Sequence, residues 1–145
     1  MALPYIGPPR SPAEWEAYYD LRWRELRAKW GQPRGSEKDA GEEIDLHCCV
    51  TLEGVVIAAG RATLADLNAV KIRSMCVEEA HQRQGWGRQI LRWLEQELRD
   101  KGVKRITLAA REHAVPFYEQ AGYNVYAPGE LLFGQIPHQL MEKTF

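Results

Sequence analysis

At 145 residues and 45% hydrophobic content, the chain has the size of one globular domain built on a single core. Nineteen Lys and Arg against twenty Asp and Glu leave a formal charge of −1, which excludes a global field that would draw the protein onto nucleic acid or an acidic membrane. Cys48, Cys49 and Cys76 are odd in number and lack metal-ligand spacing, and no apolar N-terminal run resembles a signal peptide or a membrane span, so the expectation is one domain over residues 1–145, without a metal, in a reducing cytoplasmic setting.

The opening "MALPYIGPPR" reads as an extended lead-in. Ser11, Pro12 and Glu14 then supply an N-cap, a first-turn proline and the N3 acid of a capping box, and a helix is predicted from there to about Trp30. Its Trp15, Tyr18, Tyr19, Leu21, Trp23 and Leu26 are frequent enough to require cover on more than one side. Residues 31–43, "GQPRGSEKDAGEE", read as a solvated connection, with a mobile segment beside the substrate as the alternative. Strands are predicted over 44–52 and 55–64, joined by the hairpin signature Glu53-Gly54, and over 70–77, which makes an antiparallel meander. From Gly87 to Lys101 the period turns helical, with Ile90, Leu91, Leu94 and Leu98 on one face and Gly102 as the C′ residue. A strand over 104–110, a short helix over about 114–121 and two closing strands, "YNVYA" and "HQLMEKTF", complete the chain.

The order from residue 70 is strand, glycine-rich turn, helix, strand, a crossover that makes the two strands parallel and puts the turn at the C-terminal end of the first, where ligands of such units bind. The turn, "QRQGWGRQ" at 82–89, exposes bare backbone between arginines at a helix start, which suits a phosphate group. It lacks the G-K-[ST] ending of a P-loop and is not GxGxxG, which argues against ATP and nicotinamide sites.

Gln82-x-x-Gly85-x-Gly87, after a strand and opening a helix, resembles the Q/R-x-x-G-x-G/A signature of the GCN5-related N-acetyltransferase (GNAT) superfamily. "AREHAVPFYEQAGYNV", 110–125, resembles the second family hallmark, a strand followed by A-x-x-F-Y-x-x-x-G-F/Y. "FGQIPHQLMEKTF" is similar to the ending of small, uncharacterised bacterial members. The resemblance implies an α+β (mixed α/β) fold: a mixed, mostly antiparallel sheet with a splayed parallel central pair, flanked by helices. It implies acetyl-CoA as co-substrate, its pyrophosphate on the N–H groups of Arg83, Gln84, Gly85, Trp86, Gly87 and Arg88 after Gln82, its pantetheine arm against the backbone of Met75, Cys76 and Val77. His113 stands where many members carry an Asn that contacts the arm.

The implied activity is N-acetylation of a primary amine on a small molecule or peptide by direct attack in a ternary complex. Tyr118 matches the family tyrosine assigned as general acid, and a phenol with pKa of about 10 is protonated at neutral pH. The Met75 or Cys76 N–H is the implied oxyanion donor. His47, His138, Glu42, Glu43 or a water remain open as the general base, as do the acceptor, the acyl group carried by CoA and a homodimer. A non-catalytic CoA-binding regulatory module on the same fold is the alternative, which the intact Tyr118 disfavours. No nucleic-acid or membrane partner is expected.

Overall fold

Ser11 caps the first helix as its sequence demands: its Oγ accepts the Glu14 N–H at 3.1 Å, and α1 (Pro12–Leu26) follows, in a computed structural model that describes residues 3–145. Glu14 departs from the capping box. Its carboxylate takes the Arg10 N–H at 2.8 Å and the Arg10 guanidinium, one residue further back than Ser11. The helix stops at Leu26, short of the predicted Trp30; Ala28–Trp30 tighten into a 3-10 turn that Gly31 ends with φ 71°.

Within the extended lead-in, Tyr5–Gly7 form a short edge strand, β1, antiparallel to β2 (Leu46–Leu52). β2, β3 (Val55–Ala62) and β4 (Val70–Val77) make the expected meander. Glu53 and Gly54 both have positive φ, 49° and 81°, as a primed two-residue hairpin turn requires. α2 (Trp86–Asp100) crosses over to β5 (Arg105–Arg111). α3 (Val115–Gln120), β6 (Asn124–Pro128) and β7 (His138–Thr144) follow, and the seven strands lie in the order β1-β2-β3-β4-β5-β7-β6. The fold is thus mixed and mostly antiparallel, with β4 and β5 as its parallel pair.

The four apolar residues of the α2 stripe are buried against Ile57, Val70, Ile72 and Ile106. Gly60 allows this approach, because a Cβ there would stand 2.5 Å from Ile90 Cγ2 and 2.6 Å from Met75 Sδ. On the other face Tyr18 and Leu21 of α1 pack on Cys49, Val56 and Ala59. The second side of α1, with Trp15, Tyr19 and Trp23, borders a surface groove of about 650 Å³ shared with Arg34, Glu37 and Lys38.

The segment 31–43 is a largely exposed connection, as its composition suggests, but two of its acids are not solvated. Glu37 and Glu42 are buried. The cause is Arg22, fully buried on α1, whose guanidinium takes both Glu42 oxygens at 2.9 Å and the Glu37 carbonyl. Arg61 of β3, also buried, binds Asp39 at 2.5 Å and Asp45 at 2.6 Å. Buried charge must be paired, and the segment is drawn in to pair it. Among the described residues no helix is long and apolar enough to cross a membrane.

Candidate active site

β4 and β5 pair only at Val70–Ile106 and Lys71–Thr107. Beyond Lys71 the strands part, and the edge of Met75, Cys76 and Val77 faces a gap whose backbone groups have no ladder partner on β5. A bulge precedes them: Ser74 has φ 58°, and the register with β3 shifts there. Met75 is sent toward α2 and Cys76 toward the α1 cluster. Burial pushes the Cys76 thiol up to about 12, which holds it protonated at neutral pH.

At the end of β4 the Gln82 side chain donates to the Val77 carbonyl at 3.0 Å and ties the turn to the strand. Arg83 and Gly85 take left-handed φ values of 64° and 90°, and Gly85 is the N-cap of α2. The helical ladder begins with the Gln89 N–H to the Gly85 carbonyl, which leaves the N–H groups of 83–88 without a protein acceptor among the described residues. The two glycines do different work. Nothing lies within 4 Å of a Cβ built on Gly85, whereas one on Gly87 would come into van der Waals contact with Phe117 at 3.4 Å and Val77 at 3.7 Å, so Gly87 faces α3. Arg83 and Arg88 are exposed, the latter 3.4 Å from Gln120, and the Trp86 indole donates to Gln84 at 3.1 Å. This open cradle of donors at a helix N-terminus, beside exposed guanidinium groups, fits a pyrophosphate, and the unpaired strand edge fits an amide-bearing arm. His113, in the 3-10 turn Glu112–Ala114, is exposed.

Tyr118 is 8% exposed, its ring edge-on to Phe117 and Tyr123 at 5.0 and 5.8 Å, and its hydroxyl has no hydrogen-bond partner among the described residues. Burial raises its pKa, which holds the proton on the phenol.

The four candidate bases separate. His47 is buried between the Tyr18 hydroxyl at 2.8 Å and the Glu42 carbonyl at 2.6 Å; both nitrogens are engaged, and burial lowers its pKa. Burial alone would raise the Glu42 carboxyl, but the Arg22 bonds, the Asp39 N–H and the Arg22 and Arg61 charges hold it at about 2. Both are structural groups. Glu43 is exposed. His138, half-buried and opposite Arg111 in the β5–β7 register, places Nδ1 2.9 Å from the Ile136 carbonyl. A carbonyl only accepts, so in the neutral ring Nδ1 carries the proton and Nε2 is left as the acceptor.

Sequence reasoning missed Arg111, Arg27 and Trp30. Ile106, Leu108 and Ala110 are buried on the α2 side, so Thr107, Ala109 and Arg111 point to the face α1 covers. There Arg111 lies 6.0 Å from the Trp30 ring, and Arg27 lies 5.5 Å from that of Phe133. Arg111 had a readable signal, its place at the C-terminal end of a parallel strand. Arg27 and Trp30 arrive only through the packing of α1.

Residues 15–123 match the model of the acetyltransferase (GNAT) family, a span that holds both the phosphate-type turn and Tyr118. The chain belongs to the GNAT family. Among GNAT-type relatives it is 34% identical over 111 residues to the uncharacterized N-acetyltransferase YjcF of Bacillus subtilis, covering 77% of this chain and 79% of that one. The GNAT fold is shared with Escherichia coli ElaA (TM-score 0.82, 20% identity, 99% of each chain). It is shared too with a GNAT family acetyltransferase from Elizabethkingia anophelis with acetyl-CoA bound (TM-score 0.76, 16% identity, 98% of each chain).

Proposed function

We propose that this GNAT protein transfers an acetyl group from acetyl-CoA to a primary amine of a small molecule or peptide, by direct attack in a ternary complex. The observation that carries the reading is the meeting, at one end of the sheet, of the open β4–β5 gap, the unpaired N–H groups of 83–88 and the unpartnered Tyr118 hydroxyl. The family match and the acetyl-CoA-bound neighbour support the same donor.

Bound there, acetyl-CoA supplies an acyl group already activated as a thioester. The backbone N–H groups of 83–88, with Arg83 and Arg88, hold the pyrophosphate; the edge of Met75, Cys76 and Val77 takes the arm, and His113, which is exposed, is the candidate side-chain contact to it. The Met75 or Cys76 N–H is the donor for the oxyanion. Tyr118 gives its proton to the departing sulfur, and the His138 Nε2, directly or through a water, takes the proton lost by the amine.

A panel of primary amines assayed for thiol release from acetyl-CoA tests the reading. Release that depends on an amine and exceeds hydrolysis is expected. Binding of acetyl-CoA with no amine-dependent release across a broad panel would favour a non-catalytic CoA-binding module.

A further inference from the structure

On the sheet face covered by α1, charge is left over. Three guanidiniums meet three carboxylates: Arg22 with Glu42, Arg61 with Asp45 and Asp39, and Arg73 3.8 Å from that same Asp39. Among the described residues Arg27 and Arg111 pair with no carboxylate. Arg27 spends Nε on the Ser36 carbonyl at 3.1 Å and one terminal nitrogen on the Leu26 carbonyl at 3.3 Å. Arg111 makes no hydrogen bond or ion pair among the described residues and has only the Trp30 ring beside it. Both are half-buried, and beside them the Trp30 indole N–H is buried without an acceptor. Of the neighbouring acids, Glu25 is 3.3 Å from Lys29 and Glu37 accepts the Gly35 N–H.

We infer that the acceptor amine also bears a carboxylate, held by Arg111 and Arg27 beside Trp30, so that the substrate class is amino acids and their ω-amino counterparts; the inference rests on the acetyl-transfer reading above. Guanidinium remains charged in proteins, and a half-buried cation without a counter-ion is unfavourable unless a ligand completes it. The planar fork of Arg matches a carboxylate in geometry, and an unpartnered indole N–H is a further donor for it. Burial lowers the pKa of both arginines, and Arg27 also feels Arg73, Arg22 and Arg111, with Asp39 opposing them. A bound anion relieves all of these. The position suits an acceptor: Arg111 ends β5 at the open gap, on the face away from the α2 turn that receives the phosphates.

The test pairs amino acids with their own carboxamides (glycine and glycinamide, β-alanine and its amide, lysine and lysinamide) as acceptors, and measures binding of the same compounds to the CoA-bound protein by calorimetry. The acids are expected to exceed their amides in kcat/KM by about 10- to 100-fold, chiefly through KM, the range of a charge-assisted hydrogen-bond pair. Arg111→Gln should erase that ratio and Arg111→Lys keep part of it, with the melting temperature nearly unchanged and acetyl-CoA affinity within about twofold of wild type, below the loss of one hydrogen bond to a charged group. If amines are acetylated with amides or diamines as good as the acids, the inference is overturned while the acetyltransferase reading stands. If nothing is acetylated yet acids bind in an Arg111-dependent way, the anion site stands and the acetyltransferase reading falls. Failure of every acid to bind or react overturns the inference.

Discussion

Replacing Glu42 by Gln separates a structural carboxylate from a catalytic one. The group is 8% exposed and bonded to Arg22 through both oxygens at 2.9 Å, with Arg61 3.5 Å away. Its pKa is displaced from the ordinary 4.5 to about 2, and at about 1.4 kcal/mol per pH unit the charged form contributes on the order of 3 kcal/mol to folding. For 145 residues the unfolding entropy is about 0.3 kcal/mol/K, so Glu42→Gln should lower the melting temperature by roughly 10 °C at pH 7. The sign with pH follows from a depressed carboxyl: its stabilisation is complete above about 4.5 and is lost as pH falls toward 2. The gap between wild type and variant, followed by circular dichroism melts, should therefore narrow between pH 5 and the most acid pH at which both fold. Acetyl transfer should survive at temperatures where the variant is folded. A loss below about 1 kcal/mol, the scale of an exposed pair, together with a large fall in turnover, would refute the assignment and make Glu42 the base.

Gly85→Val forces a β-branched residue to φ 90° and fills the open side of the turn; it should weaken CoA binding much more than binding of a truncated pantetheine thioester, and equal losses would mean damage to the fold alone. Tyr118→Phe keeps the ring contacts and removes a hydroxyl that no protein group uses, so turnover should fall by about 10²- to 10⁴-fold when chemistry limits the rate, with melting temperature and acetyl-CoA affinity nearly unchanged. A variant within about twofold of wild type, far below that range, would leave water as the proton donor. Gly60→Ala drives a Cβ to within 2.5 Å of Ile90 and 2.6 Å of Met75, and thermal melts should show a cost of about 1–3 kcal/mol; a neutral effect would mean that α2 and the bulged strand shift freely.

What could be read in advance was whatever local pattern decides. The α2 stripe of Ile90, Leu91, Leu94 and Leu98, the Glu53-Gly54 turn and the Ser11 cap are determined within a few residues, and each appears in the structure where expected. The short pairing of β4 with β5 was supplied by the family resemblance, since no local pattern says that a ladder stops after Lys71. Ser74 gave no sign of the bulge, because a non-glycine residue at φ 58° is set by its surroundings. The segment 31–43 misled through its charge. Its acids look solvated until Arg22 is placed on the same inner stripe as Tyr18 and Leu21, a position the helical period already allowed. Of the site, the turn and Tyr118 were legible through motifs, whereas Arg27 and Trp30 meet Arg111 only when α1 is laid across the sheet.

A calorimetric titration with acetyl-CoA, paired with a thermal melt, addresses the central claim most directly. Saturable binding of one molecule per chain is expected, and at about 100 times its Kd the ligand should add roughly 2.7 kcal/mol, a rise of about 9 °C in the melting temperature. No heat of binding and an unmoved melting temperature at millimolar acetyl-CoA would contradict it, because the turn at 82–88 and the gap beside Met75, Cys76 and Val77 would then hold no coenzyme.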